Sequence, residues 1–159
     1  MTSVADTSVK KSIVVNTSVE RAFEVFTSGF DSWWPRSHHI GKSPMKEAVI
    51  EGRVGGRCYT TQEDGTDCPW GTVVHWDPPH RFVMAWQITH EWGFQPDLSK
   101  SSEVEVRFTP EPGGGTRVDL DHRYFERMGP EGETMRTGVS GPGGWSGLLD
   151  MFKARVEQS

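Results

Sequence analysis

Residues 71–87 read GTVVHWDPPHRFVMAWQ, and the fold of the chain follows from how this stretch divides. Proline has no amide proton and a fixed φ, so Pro78-Pro79 cannot lie inside a central strand ladder. Asp77 opens a turn at that point, and the apolar runs on either side become two neighbouring strands. Trp76 and Trp86 stand at the ends of those runs, each an apolar body with one N–H donor. Tryptophans so placed suit the wall of a packed core or of a cavity. The second alternative carries function.

Working outward, turn signals recur at Gly55-Gly56, Asp64-Gly65 and Gly113-Gly114-Gly115. They divide the chain from residue 46 onward into strands near 46–52, 56–63, 68–77, 80–90, 102–109 and 115–125. EVEVRF at 103–108 alternates strictly, with Val104, Val106 and Phe108 on one face. Val118, Leu120, His122 and Tyr124 share a face in the same way, opposite Arg117, Asp119, Asp121 and Arg123. Such alternation marks an antiparallel sheet with one wet side, where the mixed charges pair across strands. Before these strands, VKKSIVV at 9–15 is β-branched and fits a first strand. Thr17 and Glu20 form a capping box for a helix carrying Val19, Ala22, Phe23 and Phe26 and stopping near Gly29. A second short helix covers Asp31 to Trp34, ended by Pro35. A Gly- and Pro-rich loop is expected over 126–141. The last helix begins near Pro142 and presents a stripe of Trp145, Leu148, Leu149, Phe152 and Val156.

The wet-sided sheet must cover its other face, and only the helices are available. The expected fold is therefore α+β, a curved antiparallel sheet of six to seven strands wrapped around the C-terminal helix. Residues 1–8 read as a disordered lead-in to a single domain over 9–159. Seven tryptophans in a chain of 159 residues that is only 34% hydrophobic make much of the core volume aromatic. The net charge of −5 argues against nucleic acid as a partner. No apolar run reaches the length of a membrane span, and MTSVADTSVKKS lacks the apolar stretch of a secretory signal, so a cytoplasmic protein is expected. Cys58 and Cys68 flank a turn and read as small buried hydrophobes rather than a redox pair. No cofactor motif is present. A zinc site would require His38, His39, His75, His80 or His90 to converge, which their spacing does not demand, so no metal is expected.

The order of elements resembles the START-like superfamily, also called SRPBCC or pollen-allergen-like, and its helix-grip fold. Within it the chain resembles the family related to the C-terminal domain of the heat-shock ATPase activator. The capped helix after the first strand, Gly55-Gly56, the segment from Gly71-x-Val73 through Pro78-Pro79 to Trp86, TRVDLDH at 116–122 and GGWSGLL at 143–149 carry this likeness. WWPRSHHIG at 33–41 is similar to a subgroup of bacterial members. The resemblance spans residues 9–157. It implies a helix-grip fold and leaves the activity open, because the superfamily includes lipid carriers, hormone receptors, aromatase/cyclases and co-chaperone domains. Gly138, Gly141, Gly143 and Gly144 imply a shorter final helix, with one cavity mouth covered by loop.

Three functions follow as expectations. The first is binding of a small hydrophobic or aromatic molecule between the sheet and the C-terminal helix. Trp33, Trp34, His38, Tyr59, Trp70, Trp76, Phe82, Met84, Trp86, His122, Tyr124, Trp145 and Leu149 are the candidate lining. Rigid aromatics with a methionine suit a flat apolar guest. Trp86, Phe82, Met84 and Ile88 share a parity that places them inward. His122, on the buried face, is either a satisfied core histidine or a donor that orients the ligand. The second is a cyclase- or hydrolase-like enzyme using the same pocket, with His122 the first catalytic candidate and Tyr59 or Tyr124 assisting. The third, implied by the resemblance, is a protein–protein module that docks on a chaperone ATPase. A homodimer is compatible with the sequence.

Overall fold

The structure is a computed structural model that describes residues 8–36, 38, 42–141 and 143–157. Seven strands form one antiparallel sheet in the order β1-β7-β6-β5-β4-β3-β2. They are β1 (Val9–Val15), β2 (Met45–Ile50), β3 (Arg57–Gln62), β4 (Asp67–Asp77), β5 (Arg81–Trp86), β6 (Ser102–Pro110) and β7 (Thr116–Arg123). The strands from β2 to β7 follow one another as a meander, and β1 closes the far edge on β7. Register shifts leave an extra residue at Lys46 on β2 and at Trp70 and Val74 on β4. Bulges of this kind sharpen the bend of a sheet. The concave face holds α1 (Val19–Phe26) and α3 (Trp145–Val156), so the expected helix-grip architecture is the one observed.

The turn that organises the sequence reading joins β4 to β5, with a cis peptide bond between Pro78 and Pro79. Beyond it Trp76 pairs with Phe82, Val73 with Met84 and Gly71 with Trp86. Gly71 is required there, since an added Cβ would stand 2.6 Å from the Ala85 carbonyl oxygen. On the outer face the charges are less solvated than alternation alone suggests. Glu105 is buried and bonded to Arg81, with Arg123 at 2.8 Å and Arg107 at 3.2 Å. Burial pushes the Glu105 carboxyl up, but its bonds to Arg81 and Arg123 outweigh this and hold it down at about 2.

Four local expectations are corrected. The N-cap of α1 is Ser18, whose Oγ accepts from the Arg21 amide at 3.2 Å, one residue beyond Thr17. The short second helix is a single 3-10 turn at Phe30–Ser32. From it Asp31 reaches the β2 edge, accepting from the Ala48 amide at 2.9 Å. The fifth strand ends at Trp86, and Ile88 keeps only an isolated bridge to Phe94. The segment 126–141 is not loop. It holds 3-10 turns at Phe125–Glu131 and a helix, α2 (Gly132–Ser140), which buries Met135 and Val139 one turn apart. Glycines depress helix propensity and hid this element. Gly132 nevertheless has a reason, because a Cβ there would lie 2.0 Å from the Phe125 carbonyl oxygen. The expected start of the last helix at Pro142 falls outside the described residues. α3 itself begins at Trp145.

Candidate functional site

The aromatic interior is continuous but not uniform. Toward one end Phe23, Phe26, Phe82, Phe108 and Phe152 interlock, edge to face in four pairs and tilted in Phe26–Phe82, with centroids 5.0–6.0 Å apart. Toward the other end phenylalanine gives way to tryptophan and the packing opens. A cavity of about 420 Å³ lies there between β4, β5, α2 and the start of α3. Its walls are Trp34, Trp70, Trp86 and Trp145, with Ile88, Val139 and Leu148 filling between them. Trp92, Gly138, His38, Gly143 and Gly144 complete the lining.

Each wall is fixed by its own element. Trp70 and Trp86 come from adjacent strands and meet at 5.5 Å. Trp34 stacks parallel to Trp70 at 6.1 Å, backed by Phe30 at 4.6 Å. Its indole N–H donates to the His38 carbonyl at 2.7 Å, and His38 Nε2 lies 3.0 Å from the Gly143 carbonyl oxygen. This joins the loop after the 3-10 turn to the start of α3. Gly144 is needed at that junction, since a Cβ would come within 2.1 Å of the Val139 carbonyl oxygen. Trp92 is half exposed and takes a left-handed φ of 63°, which brings its ring over Gly138.

His122 is wholly buried behind this wall, against Trp86 at 5.1 Å and Phe125 at 4.4 Å. The Trp145 indole N–H, which can only donate, bonds to His122 Nδ1 at 3.0 Å. The imidazole therefore carries its proton on Nε2 and donates it to Ser102 Oγ at 2.8 Å. Burial depresses its pKa to about 3, so the ring is neutral near pH 7. With its lone pair occupied and no exposed surface, His122 fixes Trp145 rather than facing a guest. The alternative of a satisfied core histidine describes its geometry.

The candidate residues thus separate. Trp34, His38, Trp70, Trp86 and Trp145 converge on the cavity. Trp33 is sealed among Phe26, Phe30 and Phe152, its N–H donating to the Val25 carbonyl at 3.0 Å. Phe82, Met84 and Leu149 are core, and Trp76 packs on Phe23 at the closed end. Tyr59 turns to the outer face under Arg57, because its neighbours Cys58 and Thr60 take the inward positions. Tyr124 leaves the strand in a left-handed conformation and lies between Arg123 and Arg127. The expectation that these two tyrosines face inward is corrected on both counts. His39 lies outside the described residues. Sequence reading missed Trp92, Gly138, Val139, Gly143, Gly144 and Leu148 as lining, and placed Ile88 inward without counting it in the pocket. Leu148 was on the helical stripe, but Trp92 sits in a stretch with no periodicity. The mouth expected under loop is covered partly by α2.

Both cysteines are free, and Cys58 Sγ rests 3.9 Å from Met84 Sδ. Among the described residues no cluster of three His, Cys, Asp or Glu side chains is arranged to hold a metal ion. No described helix is long and apolar enough to cross a membrane.

Comparison with known proteins adds a family and several structures. The family model described as Activator of Hsp90 ATPase homolog 1-like protein matches residues 16–157. The anthrahydroquino-gamma-pyrone synthase Txn09 is 42% identical, over 93% of this chain and 96% of that one, with a TM-score of 0.65. CalC, a self-sacrificing resistance protein from Micromonospora echinospora, is 28% identical over 96% of each chain, with a TM-score of 0.69. Protein MLL2253 from Mesorhizobium loti, at 16% identity and a TM-score of 0.68 over 96% and 98% of the two chains, shares the fold. No curated protein sequence gives a significant match.

Proposed function

We propose that this chain, a member of the Activator of Hsp90 ATPase homolog 1-like family, binds a flat, fused-ring aromatic molecule in the tryptophan-walled cavity. The observation that carries this reading is the change from interlocked phenylalanines to spaced tryptophans along one interior. Four indoles around about 420 Å³ offer planar apolar faces at a volume typical of small-molecule sites. Burial of apolar ligand surface contributes about 25 cal/mol per Å². A tricyclic guest therefore needs few polar contacts. The relative that is 42% identical over nearly the whole of both chains has a name that describes a fused aromatic framework, which agrees with such a guest.

A second reading, ring-closing catalysis on the same molecule, is favoured by that relative's being called a synthase. Among the described residues that line the cavity, the ionisable side chain is His38. A catalytic role falls to it before it falls to His122, which the indoles screen.

Quenching of tryptophan fluorescence by a water-soluble tricyclic aromatic tests the proposal. Saturable one-to-one quenching is expected. Gly138→Leu should abolish it, because an added Cβ already stands 3.7 Å from the Trp92 ring and a longer side chain enters the mouth. Quenching that persists undiminished in Gly138→Leu would place the guest elsewhere and sink the reading.

A further inference from the structure

Of the five tryptophans that line the cavity, four are walled in and one is not. Trp34, Trp70, Trp86 and Trp145 are each 6% exposed or less, whereas Trp92 is 52% exposed. The four buried indoles also brace one another in a closed circuit. Trp34 meets Trp70 at 6.1 Å and Trp70 meets Trp86 at 5.5 Å. Trp86 meets Trp145 at 5.5 Å, and Trp145 returns to Trp34 at 6.2 Å. Trp92 stands outside this circuit and rests on Gly138, which offers its ring a seat without a side chain. Solvent therefore reaches the cavity past Trp92, Gly138 and Gly143, the exposed members of its lining.

The backbone around Trp92 is built to move as a unit. The Thr89 amide donates to the Gly93 carbonyl and the Trp92 amide to the Thr89 carbonyl, both at 2.8 Å. The Gly93 amide donates to Thr89 Oγ1 at 2.9 Å. These bonds close the turn on itself. The Ile88–Phe94 bridge and the Gln95 amide on the Gln87 carbonyl tie its base to the end of β5. The tip can swing on that base with its own bonds intact. Across the mouth it is tied lightly, by the Trp92 ring on Gly138 and by His90 Nε2, 3.8 Å from Glu131. The left-handed position of the turn falls on Trp92 itself, although Gly93 follows it. A bulky side chain takes that conformation only where its surroundings enforce it, and such residues gather at ligand clamps and switches.

We infer that Trp92 is the door of the cavity: it swings on the 88–94 turn to admit the guest and then closes over it as a fifth indole. This rests on the proposed binding in the same cavity and adds the route by which the guest enters and leaves.

Stopped-flow fluorescence with anthracene-2-sulfonate reads both directions of passage. A door that stands open about 10% of the time or less slows entry and exit alike, by about tenfold or more. Trp92→Ala should therefore speed association and dissociation together by about tenfold, with dissociation gaining the more because an aromatic face is lost as well. In wild-type protein labelled with 5-fluorotryptophan, the ¹⁹F resonance absent from Trp92→Phe belongs to this ring. It should carry a solvent-isotope shift in the free chain and lose it once the probe is bound. Association left unchanged by Trp92→Ala would show that the ring does not stand in the path, and would overturn the inference while the binding proposal survives. A Trp92 resonance that keeps its isotope shift in the complex would overturn it too. Failure of the probe to bind the wild type at all would remove both.

Discussion

The two ends of the sheet–helix interface use the same kind of side chain to opposite effect. At the closed end Phe23, Phe26, Phe82, Phe108 and Phe152 meet edge to face or tilted, with centroids 5.0–6.0 Å apart. At the open end Trp34, Trp70, Trp86 and Trp145 are larger, yet they enclose space. Part of the difference lies in how two of the four wall rings, Trp34 and Trp145, are held. A phenylalanine is positioned by its neighbours alone, so it settles wherever contact is densest. An indole can also be tethered by its N–H, as Trp34 is to His38 and Trp145 to His122. A tether fixes a ring against collapse. Stability belongs to the first arrangement, and the binding proposed above would belong to the second.

Breaking the closed end should give the largest effect. Phe26→Ala deletes a fully buried ring and should cost about 3–5 kcal/mol in urea unfolding. Because none of its ring partners but Trp33 is an indole, affinity for a tricyclic probe should be unchanged. A parallel loss of affinity would show that the two ends are coupled.

The tethers can be read by pH. His122 has its pKa lowered from 6.5 to about 3 by burial. The unfolded chain therefore takes up a proton that the folded chain refuses. The stability this represents is complete above pH 6.5 and is lost as pH falls toward 3, at up to about 1.4 kcal/mol per pH unit. Glu105, lowered from 4.5 to about 2, acts in the same direction but only below pH 4.5. Between pH 6.5 and 4.5 the slope thus isolates the histidine, and His122→Phe should flatten it in melts across that window. An unaltered slope would mean that the ring is not held neutral.

The smallest effect sharpens the comparison from outside. Tyr59 lies on the convex face beneath Arg57, at 4.3 Å. Tyr59→Ala should cost about 0.5–1 kcal/mol, measured by thermal unfolding, and leave probe affinity untouched. Weakened binding would put this tyrosine back among the lining.

The legible parts of the fold are those where periodicity outlasts local chemistry. Val104, Val106 and Phe108 alternate without a break, as do Val118, Leu120 and His122, and their inward placement could be read directly. Tyr124 continues the same parity, but its backbone turns left-handed and the pattern ends one residue early. Tyr59 had no such pattern to follow, and the bulge opposite it, at Trp70, lies on the neighbouring strand β4. α2 could not be seen because its glycines argue against a helix that only Met135 and Val139, buried against the rest of the chain, hold in place. For the cavity, tryptophan content announced aromatic walls without saying which rings would be tethered. That distinction depends on acceptors that the folded backbone positions, the His38 carbonyl four residues beyond Trp34 and His122 Nδ1 on β7 for Trp145.

An open sheet of seven strands has two outer margins, and unguarded margins recruit other chains. Here one margin is answered by Lys153, which reaches the Val14 carbonyl at 2.7 Å, and the other by Asp31 at the Ala48 amide. Asp31 also grips Arg36, at 2.7 Å, within the segment that delivers Trp34 and His38 to the cavity. A single carboxylate therefore serves two duties: it discourages runaway strand addition between copies, and it anchors the stalk on which the Trp34 wall of the receptacle stands.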